Sequence, residues 1–259
     1  MLRDYSHTAT EHDLTGRVAL VTGATAGLGR HFAGVLAAAG AAVGVAGRRE
    51  ERISDVVAEI GAAGGRAVGV PLDVLDPDAI RRAVDTVEDA FGLTDILVNN
   101  AGIPDAQRAH RMDLDLVDRV LGTNLRAPWL LSTEVARRLI EADRPGSIVN
   151  LSSISSFHYD GKGAALYSTT KAAINRMTEA LAVEWARYRI NVNAIAPGAF
   201  SSEMMDGMIA RIGDPSEHFP RKRLGDPRQL ESTLLFLVSP ASEAVTGTVV
   251  KVDDGQTHR

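Results

Sequence analysis

The stretch VALVTGATAGLG, residues 18–29, joins a short apolar run to a glycine-rich turn and then to a helical pattern. Four consecutive apolar residues at 18–21 are typical of a buried strand. The glycines that follow let the backbone turn tightly and come close to a pyrophosphate, which would lie at the positive end of the helix. Their spacing is G-x-x-x-G-x-G and not G-x-G-x-x-G, so an ordinary turn in an alanine- and glycine-rich segment stays open as the alternative. The residues expected at the phosphate are Thr22, Gly23, Gly27, Leu28 and Gly29.

Beyond this turn, short apolar runs alternate with helical patterns along the chain. Such alternation indicates a parallel sheet with helices on both faces. With right-handed crossovers and no internal repeat or linker, the prediction is α/β: a single doubly wound Rossmann-type domain over residues 14–259, with about seven parallel strands. Residues 1–13 are expected to form a disordered lead, and residues 204–223 a mobile insertion near a site. The predicted strands are 18–21, 42–46, 66–70, 95–98, 147–151, 190–195 and 248–252, and the predicted helices are 28–39, 50–62, 77–91, 123–142, 165–188 and 227–238.

The composition limits the classes to which the protein can belong. Of its 259 residues, 45% are hydrophobic and 24% charged; with a net charge of −5 and no basic block, neither nucleic acid nor an anionic membrane is an expected partner. Cysteine is absent and the seven histidines show no paired metal spacing, so no disulfide and no metal site is expected. The longest notable uncharged run, residues 32–47, is shorter than the ~20 residues that span a bilayer. The first 13 residues have no apolar core of the kind a signal peptide needs, so these features favour a soluble, cytoplasmic protein.

The sequence YSTTK at residues 167–171 places a phenol and an ammonium four residues apart. On a helix this spacing is about one turn, so Tyr167 and Lys171 share a face. A free tyrosine has a pKa near ~10 and is a poor proton donor or acceptor at neutrality. A lysine charge within about 4–6 Å favours the phenolate and lowers that pKa. Such pairs are also common on solvated helix faces, so the motif alone does not identify a catalytic site.

Polar residues follow two other predicted strands. Asn100, Ala101 and Gly102 end the fourth strand, at the carboxyl edge where open parallel sheets bind ligands. Asp73 and Val74 end the third strand, where the carboxylate could meet an adenine amino group. Asn and Asp at strand ends commonly form Asx turns instead, which is the alternative for each motif.

All of these motifs occur in one order, together with Ser153 before the tyrosine and Pro197-Gly198 after the sixth predicted strand. In this combination the chain resembles the classical short-chain dehydrogenase/reductases, from about residue 14 to residue 255. The resemblance implies hydride transfer between a nicotinamide cofactor and a carbonyl or secondary alcohol, with the proton supplied by the protein.

The resemblance also implies a role for each catalytic candidate. Tyr167 would be the general acid when a carbonyl is reduced and the base when an alcohol is oxidised. Lys171 would lower the tyrosine pKa and bind the nicotinamide ribose, and Asn124 would anchor a water that links Lys171 to solvent. Ser153 would hold the substrate oxygen. Ser152 is the competing serine, although strand alternation sends the two neighbours to opposite faces.

For the cofactor, the resemblance implies that Pro197 and Gly198 pack against the nicotinamide and that Ser202 offers a hydroxyl to its carboxamide. The family more often has a threonine at the position of Ser202.

The choice of cofactor depends on the end of the second strand, where an acidic residue would bind the ribose hydroxyls of NAD. Here Gly47 is followed by Arg48 and Arg49. A guanidinium suits the additional phosphate of NADP, so NADP(H) is favoured over NAD(H). The alternative is that both arginines begin a solvated helix. Ala26, where many NADP-using relatives have a basic residue, argues against a strong preference.

The leading hypothesis is an NADP(H)-dependent oxidoreductase that acts on a small carbonyl or alcohol, with overall similarity favouring 3-oxoacyl thioesters. A dehydrogenase of sugars, steroids or other secondary alcohols is the main alternative. A catalytically silent nucleotide-binding regulator would not need the intact proton relay, and the glycine spacing argues against a nucleotide-sugar epimerase of the extended branch. By resemblance only, a homo-oligomer, specifically a tetramer, is expected.

Overall fold

The computed structural model describes residues 12–159, 161 and 163–257, and a seven-stranded parallel sheet forms its centre. In chain order the strands are β1 Val18–Thr22, β2 Ala42–Gly47, β3 Arg66–Pro71, β4 Ile96–Asn99, β5 Gly146–Leu151, β6 Ile190–Pro197 and β7 Val249–Val252. They lie side by side in the order β3-β2-β1-β4-β5-β6-β7, and every neighbouring pair is parallel. The order reverses between β1 and β4, which leaves a crevice at their carboxyl ends. The predicted α/β fold with about seven parallel strands is confirmed.

Helices cover both faces of the sheet, and β1 shows how the two cores are divided. Its residues alternate, so that Val18 and Leu20 face one hydrophobic cluster while Ala19 and Val21 face the other. Because both faces are buried, the whole strand is apolar up to Thr22. The helices are α1 Gly27–Ala38, α2 Glu50–Ala62, α3 Pro77–Phe91, α4 Leu114–Leu121, α5 Ala127–Glu141, α6 Ala165–Trp185, α7 Glu203–Ile212 and α8 Glu231–Val238. In the described part of the chain, none of them is long and apolar enough to cross a membrane.

Two helices lie where the sequence predicted none. Helix α4 is only eight residues long, and Val120 is its one buried residue. A π-helical turn, Gly122–Arg126, joins it to α5, and the predicted helix 123–142 therefore starts as an irregular turn. Helix α7 lies almost wholly within the predicted insertion 204–223, and its N-cap is Ser202, whose Oγ accepts the Met205 N–H at 3.2 Å. The mobility of that segment stays a prediction.

The expected lead, residues 1–13, lies almost wholly outside the described residues, as do His7 and His258. Leu14, at the expected start of the domain, is fully buried, and its N–H donates to the Ala39 carbonyl at 2.7 Å. The domain boundary itself stays a prediction.

Gly44 in β2 tests how tightly the sheet packs on its helices. A Cβ at this position would overlap Cγ2 of Val87 in α3. We expect Gly44→Ala to lower the free energy of unfolding by about 1–3 kcal/mol, because the core has no room for another methyl group. Urea denaturation followed by circular dichroism measures the change. The matched control is Gly61→Ala on the exposed face of α2, where the added methyl meets open space and should stabilise by about 0.5–1 kcal/mol. Equal stability of the two variants would contradict this packing.

Candidate active site

The glycine-rich turn after β1 has the shape of a phosphate-binding cradle. Gly23 and Gly27 have φ values of 64° and 51°, a region that side-chain-bearing residues avoid. A Cβ on Gly29 would overlap the Gly23 carbonyl and the Asn100 amide. Helix α1 starts at Gly27, and Ala26 before it provides no side-chain cap. The N–H groups at this end are thus available to an anion, and the turn fits the pyrophosphate of a dinucleotide.

Thr22 and Asn100 fix this turn against the end of β4. Thr22 Oγ1 accepts the N–H groups of Asn100 and Ala101, each at 3.1 Å. Asn100 Nδ2 donates to the carbonyls of Thr22 at 2.9 Å and Gly23 at 3.2 Å. Both residues were expected to contact the cofactor, but their side chains bind the backbone and set the shape of the turn.

Tyr167 and Lys171 lie one turn apart on α6, as predicted, with Lys171 Nζ 5.5 Å from the centre of the phenol ring. Lys171 is buried, and its Nζ donates to the Leu151 carbonyl at the end of β5, at 2.5 Å. A Cβ on Gly102 would lie 3.7 Å from that nitrogen and 3.5 Å from Asn124 Oδ1. The ends of β4 and β5 therefore meet α6 at the ammonium group.

The electrostatics of this pair differ from the sequence prediction. Burial lowers the pKa of Lys171 to about 8. Burial also raises the pKa of Tyr167, an interaction with Ser153 lowers it, and the charge of Asp105 raises it further. The net shift of the Tyr167 pKa is upward, the reverse of the predicted lowering by Lys171, because desolvation of the phenolate dominates.

The two neighbouring serines point to different places, as strand alternation requires. Ser153 precedes a short 3-10 turn after β5, and its Oγ accepts the Ser155 N–H at 3.1 Å. Its side chain also hydrogen-bonds with Tyr167, which lowers the tyrosine pKa. The Ser152 hydroxyl is buried and donates to Asn175 Oδ1 at 2.5 Å. Of the two, Ser153 is the one beside the phenol.

Asn124 lies in the π-helical turn between α4 and α5. Its side chain makes two hydrogen bonds of 2.9 Å with the backbone of Ile103, one as acceptor and one as donor. The amide thereby holds the loop that follows β4 close to Lys171. Its expected role, binding a water in the proton relay, stays a prediction.

Asp105 belongs to the site, and the sequence analysis missed it. This carboxylate is buried, and its Oδ2 accepts the N–H groups of Leu166 at 2.9 Å and Tyr167 at 3.1 Å. These N–H groups belong to the first turn of α6, whose N-cap residue, Ala164, has no capping side chain. Asp105 therefore anchors the helix that holds Tyr167 from a loop about sixty positions earlier, and no local pattern in the sequence indicates the pairing.

The residues expected at the adenosine end are dispersed around the ends of β2 and β3. Arg48 is exposed directly after Gly47, the last residue of β2. Asp73 Oδ1 accepts the Leu75 N–H at 3.0 Å in an Asx turn, and the expected contact of this carboxylate with an adenine amino group stays a prediction. Val74 beside it is buried.

At the nicotinamide end, Pro197 closes β6, and the Gly198 N–H donates to the Val252 carbonyl in β7 at 2.9 Å. Ser202 is the N-cap of α7, and its Cβ lies 3.3 Å from the position that a Cβ on Gly27 would occupy. The start of α7 therefore packs directly on the glycine-rich turn that leads into α1.

A cavity of about 660 Å³ lies between the loop after β4, the loop before α6 and the segment that follows α7. Arg108, Arg211 and His218 give it a basic lining, with Asp214 as the acidic member. It starts at Ala106, four residues after Gly102, and includes Gly163, four residues before Tyr167. It is a candidate for the substrate pocket.

Comparison with known proteins agrees with this geometry. Residues 17–211 match the short chain dehydrogenase family. The chain is 37% identical over 247 residues to 3-oxoacyl-(acyl-carrier-protein) reductase FabG of Aquifex aeolicus, covering 95% of this chain and 99% of that protein. It is 35% identical over 251 residues to 2-dehydro-3-deoxy-D-gluconate 5-dehydrogenase of Formosa agariphila, covering 94% and 93%. A crystal structure of a short chain dehydrogenase from Burkholderia cenocepacia in complex with NADP superposes with a TM-score of 0.86 at 35% identity, covering 94% of this chain and 99% of that one.

The low pKa of Lys171 predicts how stability depends on pH. Because the folded protein releases this proton near pH 8 and the unfolded chain holds it to about 10.5, the free energy of unfolding gains up to about 1.4 kcal/mol per pH unit in that window. Lys171→Met removes the gain, so its urea midpoint should fall behind that of the wild type as pH rises from 7 to 10. The exposed Lys222→Met is the control and should keep the wild-type slope. Parallel curves for Lys171→Met and the wild type would refute the shift.

Proposed function

The chain belongs to the short-chain dehydrogenase family, and on that premise we propose that it is an NADP(H)-dependent oxidoreductase that interconverts a carbonyl group and a secondary alcohol. The general class, an oxidoreductase acting on CH–OH or C=O, follows from the family and its named dehydrogenases and reductases. One observation carries the more specific proposal: Tyr167, Ser153 and Lys171 meet at the same sheet edge as the glycine-rich turn.

In the reductive direction, the bound dinucleotide would supply the hydride to the carbonyl carbon. Tyr167 donates its phenolic proton to the carbonyl oxygen, and the Ser153 hydroxyl hydrogen-bonds that oxygen as negative charge develops. The phenolate that remains is stabilised by the nearby Lys171 ammonium and regains a proton from solvent, by way of the water that Asn124 would hold. Oxidation of an alcohol reverses each transfer.

The assignment of NADP(H) rests on the end of β2. Gly47 lies against Thr25 of the glycine-rich turn and presents no carboxylate to the ribose, and Arg48 directly after it is exposed. A guanidinium at this place matches the 2′-phosphate. The remaining predicted contacts, at Asp73, Val74, Ala101, Gly102, Pro197, Gly198 and Ser202, belong to the same proposal.

For the substrate, the basic cavity favours an anion. Arg108 and Arg211 could meet a carboxylate or phosphate while the carbonyl lies at Tyr167. A 3-oxoacyl thioester, whose carrier is phosphorylated, fits this description, and so does a keto sugar acid. A regulator without catalysis would have no use for the buried Lys171 beside Tyr167.

We also propose a cytoplasmic homo-oligomer, a tetramer by resemblance. Trp129 on α5 and Val183 on α6 are large apolar residues exposed on the two long helices. Burying them against further copies of the chain would remove that apolar surface from water.

Tyr167→Phe tests the mechanism. Loss of the phenolic proton should lower turnover by about 10² or more, the scale of a lost general acid, while NADPH binding stays nearly unchanged. The assay follows NADPH and NADH absorbance with a short 3-oxoacyl thioester and with a keto sugar acid, and NADPH binding is titrated by fluorescence. Normal turnover in the variant would refute the assignment. Activity with only one of the two substrates decides between the candidates.

Arg48→Ala tests the cofactor assignment. Because the guanidinium is assigned to the 2′-phosphate, NADPH affinity should fall about tenfold or more, the scale of a charge-assisted hydrogen bond. NADH lacks that phosphate, so its affinity should change less than twofold. Titration of nicotinamide fluorescence gives both dissociation constants. Equal losses for the two dinucleotides would make Arg48 a structural residue.

A further inference from the structure

Two arginines from the corner between β2 and α2 bind the first residue of α7. Arg49 Nη1 lies 3.2 Å from Glu203 Oε2, and Arg52 Nη1 lies 2.6 Å from Glu203 Oε1. Arg49 Nη2 also donates to Thr25 Oγ1, within the glycine-rich turn, at 3.0 Å. A single guanidinium therefore contacts both the turn that fits a pyrophosphate and the helix that borders the basic cavity.

Glu203 is ionised in this arrangement. Desolvation raises its pKa, but the charges and hydrogen bonds of Arg49 and Arg52 together outweigh that effect and lower the pKa overall. The neighbouring Ser202 packs on Gly27. The N-terminal end of α7 is thus attached at two adjacent residues. Ser202 packs on the glycine-rich turn, and Glu203 forms ion pairs with Arg49 and Arg52.

In this geometry, the 2′-phosphate of NADP(H) and the Glu203 carboxylate would compete for the same guanidinium. The sequence places Arg48 and Arg49 at the end of β2, where the 2′-phosphate of NADP(H) would lie. Arg49 is already paired with a carboxylate, and that carboxylate would repel the incoming phosphate. Arg211 in the last turn of α7 and Gly213 directly after it line the cavity, so a shift of α7 at Glu203 would also move part of the candidate substrate pocket.

We propose that Glu203 is a specificity-determining residue that competes with the 2′-phosphate for Arg49 and thereby couples the choice of dinucleotide to the position of α7. This rests on the proposed function, because it requires a nicotinamide dinucleotide in the cradle. When NADP(H) binds, Arg49 turns to the phosphate, and α7 keeps only Arg52 and the Ser202 contact. When NAD(H) binds, the Arg49–Glu203 pair stays intact. By linkage, whatever holds α7 to Arg49 weakens the binding of NADPH and not of NADH.

Glu203→Gln tests the competition because it removes the charge and keeps the shape. We expect the NADPH dissociation constant to fall about 5- to 10-fold, at the low end of the coupling measured between sites, and the NADH constant to change less than twofold. Both are measured by fluorescence titration at low salt, where exposed charges act most strongly. The matched control is Asp206→Asn, an exposed acid one turn further along α7, which should leave both constants unchanged. In an Arg49→Ala background, Glu203→Gln should improve NADPH binding much less than in the wild type, because the competition for the shared partner is gone and only the direct repulsion of the phosphate is relieved.

The coupling to α7 has its own readout. Hydrogen exchange of the α7 amides should be faster with saturating NADPH than with saturating NADH in the wild type, and equal with both dinucleotides in Glu203→Gln. Equal exchange in the wild type would overturn the coupling.

The outcomes separate this inference from the proposed function. If the wild type binds both dinucleotides and Glu203→Gln leaves the ratio of their affinities unchanged, the competition is wrong while the cradle assignment stands. If the variant weakens both equally, Glu203 only holds the helix, and the competition is again overturned. If neither dinucleotide binds the wild type, the proposed function and the inference fail together.

Discussion

The hydrogen bonds of Thr22 to the backbone of Asn100 and Ala101 are the constraint on which the site depends. They join β1 and β4 at the point where the strand order reverses, and Asn100 returns two hydrogen bonds to the glycine-rich turn. In an open parallel sheet this reversal is where the chain leaves a crevice for a ligand. A polar pair at the bottom of that crevice keeps the turn and the loop after β4 in one fixed relation, and every other group in the site is placed against one of the two.

The catalytic candidates are held by buried polar contacts between residues that are far apart in the sequence. Asp105 accepts the first N–H groups of α6, Asn124 holds the loop of Ile103, and Lys171 reaches the carbonyl of Leu151. Each contact connects a strand end with a helix from elsewhere in the sequence. Burial, which makes these contacts rigid, also determines the charge states: it lowers the pKa of Lys171 and raises that of Tyr167.

On the exposed side of the glycine-rich turn, the contacts are ion pairs and hydrogen bonds of an arginine and not buried polar contacts. Arg49 divides its donors between Thr25 and Glu203, while Arg48 next to it is exposed. To bind a phosphate, the Arg49 guanidinium would have to exchange one of these partners. If the proposed cofactor assignment holds, this sharing would weaken the preference for NADP(H), in the same direction as the alanine at position 26.

The sequence by itself determined the class of fold and the candidate groups, because both are written in local patterns. Apolar runs of strand length alternate with helical periods, and the four-residue spacing of Tyr167 and Lys171 places them on one face of α6. It did not determine α4 or α7, whose short helices bury few residues, nor the upward shift of the Tyr167 pKa. The roles of Asp105 and Glu203 also belong to the tertiary structure alone. Each acts on a residue tens to more than a hundred positions away, and such a pairing exists only once the sheet has brought the strand ends to one edge.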